Sequence, residues 1–230
     1  YRDPKLAQSL IQALRSRREP GRPLRFMEIC GTHTVAIFRA GLRELLPPWI
    51  TLISGPGCPV CVTADEDIDR AVWLARLPGV IIATFGDLVR VPGSQSSLRN
   101  ERAMGADVRI VYSTFDALQT ARENPDRQVV FLGIGFETTV PTVAASVQRA
   151  SREGLENFSV FSAHKLLPPA MRALLDSGDV HLDGFLCPGH VSTIIGAASY
   201  EPVAAQYRIP CVCLLYTSDA ADDLHCVDLG

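Results

Sequence analysis

Apolar residues recur at two spacings along the chain. Leu6, Leu10, Ile11 and Leu14 fall at helical spacing, and Asp3-Pro4 before them reads as an N-cap followed by a first-turn proline, so the chain opens with a helix. After the Gly21-Arg22-Pro23 break, short apolar runs alternate with helix-period segments. The runs start near Leu24, Ile50, Val80, Val108, Val129, Phe158, Gly184 and Ile209. Apolar runs separated by helical stretches mark βαβ units, so the pattern predicts an α/β fold with parallel sheets. Helix signals fall where that reading needs them. Thr63 and Glu66 have capping-box spacing, and Pro168-Pro169 suits the first turn of another helix.

The polar stretch from Glu123 to Arg127 lies midway between the fourth and fifth predicted strands and reads as a linker. It predicts two similar Rossmann-like domains, residues 1–124 and 125–212, with a cleft between them. Phe26-Met-Glu-Ile-Cys-Gly-Thr-His-Thr34 holds the same place in the first half as Phe131-Leu-Gly-Ile-Gly-Phe-Glu-Thr-Thr139 in the second, which suggests a duplication. Residues 213–230 read differently from the rest. They look like translated adapter read-through at the end of a truncated sequence, so His225 and Cys226 carry no weight as ligands.

A hydrophobic fraction of 47% in 230 residues supplies a sizeable core and argues against disorder. With a net charge of -3 and scattered Lys and Arg, the chain lacks the basic footprint that nucleic acid needs. No apolar run approaches the roughly 20 residues that span a bilayer, and a charged amphipathic stretch stands where a signal-peptide core would be. The expected location is therefore the cytoplasm, with no membrane partner. Seven cysteines is an odd number at irregular spacing, and a reducing compartment leaves them as thiols for metal or redox work.

In parallel sheets, ligands bind at the carboxyl ends of strands. Cys30 and His33 follow the first predicted strand, Cys58 and Cys61 the second, and Asp87 the third, while Glu137, His164 and His190 follow strands of the other half. Gly55-Pro-Gly-Cys-Pro-Val-Cys61 is a C-x-x-C in a stiff turn, able to close a disulfide or share a metal, and a following helix N-terminus favours anionic sulfur. Cys30-Gly-Thr-His33 adds a thiol and an imidazole, a donor set that suits iron or zinc. Three sulfurs from these two turns are expected within bonding reach of one metal ion. Glu137 can position a ligand or accept a proton, and His164 and His190 can act as supporting donors. Cys187 and Cys211 sit in apolar runs and read as core; Asp87 reads as a helix cap with a weak claim to function.

Cys-Gly-Thr-His-Thr, Gly-Pro-Gly-Cys-Pro-Val-Cys, Gly-Phe-Glu-Thr-Thr and Pro-Gly-His-Val-Ser occur in that order, together with Phe85-Gly-Asp-Leu-Val-Arg-Val-Pro-Gly93 and Gly105-Ala-Asp-Val-Arg-Ile-Val-Tyr-Ser113. On these motifs residues 1–212 resemble the HypD family of [NiFe]-hydrogenase maturation factors. The resemblance implies a scaffold that, with the small chaperone HypC, holds iron while cyanide and carbon monoxide are added to give Fe(CN)2CO, cyanide coming from HypE and HypF. It implies Cys30 as the iron-binding thiolate and Cys58 and Cys61 as a redox-active dithiol. By the same resemblance Glu137 and His164 have catalytic roles, and His33 and His190 bind the cargo. Family members also carry a [4Fe-4S] cluster in a further cysteine-rich domain, which this sequence lacks.

Two other readings stay open on the residues alone. One is a metal-free thiol-disulfide oxidoreductase using Cys58 and Cys61; the other is a zinc protein with Cys30, His33, Cys58 and Cys61 as a closed tetrahedral site.

Overall fold

The structure, a computed structural model, describes residues 4–17, 21–214 and 226–227. In chain order the elements are α1 (Pro4–Ser16), β1 (Leu24–Glu28), α2 (Gly31–Arg39), α3 (Leu42–Leu45), β2 (Ile50–Ser54), α4 (Asp65–Ala75), β3 (Val80–Thr84), α5 (Leu98–Ala103), β4 (Val108–Ile110) and α6 (Thr114–Glu123). There follow β5 (Gln128–Gly133), α7 (Val140–Arg152), β6 (Phe158–Ser162), α8 (Leu167–Asp176), β7 (Gly184–Pro188), α9 (Gly189–Ile195), α10 (Glu201–Tyr207), β8 (Cys211–Leu214) and β9 (Cys226–Val227). The expected α/β class and parallel sheets are what the chain forms. Six of the eight expected strand starts coincide with the observed ones; the fifth strand begins one residue earlier, at Gln128, and the eighth two residues later, at Cys211.

The strands form two sheets. One runs β2-β1-β7-β8, all parallel, with β9 added antiparallel at its edge; the other runs β4-β3-β5-β6, all parallel. The compact units are Tyr1–Cys58 with Leu167–Gly230, and Pro59–Leu166. This differs from the expected division at residue 124. Residues 123–127 are a packed turn inside the second unit, because the buried Asn157 side chain donates to the carbonyls of Ala121, Asn124 and Arg127 at 2.9, 3.0 and 3.0 Å. The Arg127 guanidinium also donates to Asp107 at 2.6 Å. Polarity there reflects a hydrogen-bonded corner, so the second unit is an insertion between β2 and α8 of the first.

The two sheets share one strand order, and it pairs the turns differently from the motif match on which the suggested duplication was based. Numbering the strands within each sheet, both read 2-1-3-4. Hence β1 corresponds to β3, and β5 to β7. The Gly-Phe-Glu-Thr-Thr turn after β5 therefore matches the Cys187-Pro-Gly-His190 turn after β7, and not the Cys30 turn.

In the second unit the sheet is covered on both faces, as parallel sheets require. Ile82, Val130 and Leu132 pack with Ile68, Val72 and Leu98 on one face; Ile81, Ala83, Val129 and Phe131 pack with Ala117, Ala121 and Val143 on the other. The alternation along β3 and β5 fixes their register, since a slip of one residue would exchange the faces. In the first unit Met27, Phe185, Cys187, Tyr200, Val203 and Cys211 are all buried.

Candidate functional site

In a sheet of order 2-1-3-4 the connections leave strands 1 and 3 in opposite directions, and the crevice lies beyond their carboxyl ends. In the first unit those are the turns after β1 and β7, which carry Cys30, His33 and His190. In the second they are the turns after β3 and β5, which carry Asp87 and Glu137.

Cys30 is the N-cap residue of α2, with extended backbone (φ -153°, ψ 120°) and a half-buried side chain that makes no capping hydrogen bond. Cys30 thus stands at the start of α2, just past the carboxyl end of β1. His33, in the first turn, is buried, whereas His190, in the first turn of α9, is exposed. The turn after β2 is stitched to this one. Gly31 N–H donates to the Gly57 carbonyl at 3.4 Å, and Gly55 N–H to the Glu28 carbonyl at 2.8 Å. A Cβ on Gly57 would stand 2.7 Å from Cys30 Cα and 2.5 Å from Gly31 N, so only glycine lets the two turns approach this closely. Cys58 is half-buried and Cys61 exposed.

The expected capping box at Thr63 and Glu66 does not form. The Thr63 hydroxyl instead donates to the Pro59 carbonyl at 2.9 Å, tightening the C-x-x-C turn, and the N-cap of α4 is Ala64 without a side-chain cap. Asp87 does cap a short helical turn, Leu88–Arg90, by accepting from Leu88 N–H at 2.9 Å.

In the second unit Glu137 is 6% exposed, in the turn leading into α7. His164 follows β6, its turn held by Ala163 N–H to Gly133 O and Lys165 N–H to Gly135 O. The imidazole lies against Gly133, where a Cβ would come within 2.8 Å of Cε1. Nδ1 pairs with the Ser162 hydroxyl at 2.9 Å, and Nε2 is buried without a partner among the described residues. Burial lowers the His164 pKa and so favours the neutral imidazole.

Among the described residues no group of three or more His, Cys, Asp or Glu side chains is arranged to hold a metal ion. Neither the expected grouping of three sulfurs for one metal ion nor the closed four-ligand zinc site is preassembled among the described residues. The turns that carry Cys30 and Cys58 approach each other through backbone, but they assemble no ready-made ligand cage. Cys187 and Cys211 are fully buried, as expected of core. His225 lies outside the described residues, and of the expected tail only Cys213 and Leu214, in β8, and Cys226 and Val227, in β9, are described; Cys213 is buried. No described helix is long and apolar enough to cross a membrane.

Inspection for chemistry alone passed over Glu28, Arg43, Ser54, Gly57, Gly133 and Ser162. Glu28 carried a signal: a carboxylate inside an otherwise apolar strand run, two residues before Cys30.

Fold and site together define a parallel α/β protein with thiols on turns at strand carboxyl ends. The family model described as "HypD: Hydrogenase formation hypA family" matches residues 5–219. The chain is 51% identical over 219 residues to hydrogenase maturation factor HypD2 of Bradyrhizobium diazoefficiens, and 50% identical over 217 residues to hydrogenase maturation factor HypD of Escherichia coli. In both cases 92% of this chain and 58% of the relative are aligned. A hydrogenase expression/formation protein of Methanocaldococcus jannaschii is 46% identical over 189 residues, 82% of this chain and 52% of that protein. The chain belongs to the HypD family of hydrogenase maturation factors. It spans a little over half the length of these relatives.

Proposed function

We propose that the protein is a hydrogenase maturation scaffold on which Cys30 anchors iron as cargo while the Fe(CN)2CO unit of a [NiFe]-hydrogenase is assembled. The observation that carries this reading is the placement of Cys30: a half-exposed thiol at a helix N-terminus, at the carboxyl end of a central strand, with a second cysteine turn packed against it. A single protein thiol leaves most of the iron's coordination sphere to incoming ligands and to a partner, which suits a scaffold better than a closed structural site. A HypC-type chaperone is the partner that would share the iron, and HypE with HypF would donate cyanide.

Cys58 and Cys61 serve as a redox pair: by thiol-disulfide exchange with a partner disulfide, they close to a disulfide while the partner takes up the two electrons and two protons, and the reverse exchange reopens the dithiol. His33 and His190 flank the Cys30 crevice of the first unit and orient the cargo. Glu137 and neutral His164 handle protons, His164 through its buried Nε2. The [4Fe-4S] cluster expected of the family belongs to sequence beyond the part matched here, and no step above depends on it. The cytoplasm is the compartment in which such thiols stay reduced.

Metal analysis of anaerobically purified full-length protein with its chaperone tests the reading. Iron bound in proportion to protein, and lost in Cys30→Ser, supports it. Stoichiometric zinc, or insulin reduction that needs Cys58 but not Cys30 in a metal-free protein, overturns it.

A further inference from the structure

We infer that Glu28 is a positioning residue that sets the spacing between the Cys30 and Cys58 turns, and with it the approach of the two sulfurs to a shared thiophilic cargo. The inference rests on the reading of Cys30 as the cargo anchor. Glu28 ends β1 directly opposite Ser54, which ends β2, and its side chain is completely buried. One carboxylate oxygen, Oε1, accepts from the Arg43 guanidinium at 2.6 Å and from the Ser54 hydroxyl at 2.9 Å. Arg43 also donates to Ser54 at 3.0 Å, closing a triangle among β1, β2 and α3.

The backbone of the same residue completes the clamp, because its carbonyl accepts from Gly55 N–H, the first residue of the Cys58 turn. Ile29 N–H, next along, donates to Leu186 O and ties the Cys30 turn to β7. The Cys30 turn is thus pinned on one side to β7 and on the other, through Glu28, to the Cys58 turn. Only the carboxylate of this pair is buried, the Arg43 side chain being 45% exposed. Burying a charge is a poor way to gain stability, since an apolar residue of similar volume fills such a place as well or better. What an apolar residue cannot do is hold three separate elements at hydrogen-bond distances. The other oxygen, Oε2, has no partner among the described residues, so the amide oxygen of glutamine can take over both bonds.

The test uses the full chain carrying Cys61→Ser and Cys226→Ser, with the buried Cys187, Cys211 and Cys213 left in place. It locates the two-thiol probe phenylarsine oxide by mass spectrometry of peptides, so that bridging of Cys30 and Cys58 is read directly. The arsenic replaces its oxygen with two sulfurs, releasing one water and transferring no electrons. The expected result is bridging of Cys30 and Cys58 in the parent, weakened about tenfold by Glu28→Leu, a loss corresponding to about 1.4 kcal/mol. Glu28→Gln restores affinity to within about threefold of the parent. Ser54→Ala, an exposed site that leaves the core intact, gives an intermediate loss. Each thiol alkylates singly with iodoacetamide at the parent rate in all variants. A lowered melting temperature with unchanged arsenical affinity would make Glu28 a stability residue only and overturn the inference. Absence of bridging in the parent also overturns it, while leaving the Cys30 anchor to be judged on iron content.

Discussion

Two groups of cysteines in the first unit show how position decides what a thiol can do. Cys187 and Cys211 lie within β7 and β8, with no exposed surface, and the thiol of Cys187 is pushed well above its ordinary pKa by hydrogen bonding to Cys211 and Cys213 and by burial. Such sulfurs behave as small apolar side chains. Cys30 and Cys58 stand just past the ends of β1 and β2, on turns that leave the sheet. The strands are equivalent in kind; the sulfurs differ because a residue in the strand is buried in a packed layer, while one on the following turn stays partly exposed.

The largest expected effect breaks the comparison if it fails. Cys30→Ser in the full-length protein should lower iron retention at least about a hundredfold, more than loss of a supporting residue around a metal usually costs. Cys187→Ala should leave retention unchanged, and metal analysis after gel filtration reads both. Next is Gly57→Ala, whose methyl group meets the backbone of Cys30 and Gly31. It should destabilise the protein by about 2–3 kcal/mol in chemical denaturation and separate the two turns. The third concerns access. Under native conditions iodoacetamide should label Cys58 and Cys61 at least about tenfold faster than Cys187 and Cys211, as followed by mass spectrometry of peptides.

A smaller effect, in the second unit, controls for stability without touching any thiol. Hydrogen bonds from Arg76 and then Ser96 hold the Glu101 carboxyl down at about 2, against an ordinary 4.5, despite burial. A carboxylate with a depressed folded-state pKa contributes its full stabilisation above pH 4.5 and loses it as pH falls toward 2. Arg76 is half-exposed, so screening trims the effect, and Glu101→Gln should cost about 1 kcal/mol at pH 7. The difference from the parent should shrink as the pH is lowered, in denaturation measured across that range.

Much of this was legible in the sequence. The strand runs announced themselves through period and length, and the strand-end rule brought Cys30, Cys58, Glu137, His164 and His190 to attention before any coordinates. Sheet order was not legible, because β1 pairs with β7 across more of the chain than any local pattern can report. The boundary expected at residue 124 failed for the same reason: a polar corner pinned by Asn157 has the composition of a linker. Thr63 misled because the same hydroxyl that could cap a helix can equally bond back to Pro59. Glu28 looked like one more strand residue until its partners on β2 and α3 came into view.

An iron cargo anchored by the sulfur of Cys30 has a direct signature in the infrared spectrum of full-length protein purified anaerobically together with a HypC-type chaperone. Bands from iron-bound cyanide and carbon monoxide should be present in the parent and in Cys187→Ala, and absent in Cys30→Ser. Undiminished bands in Cys30→Ser would contradict that anchoring.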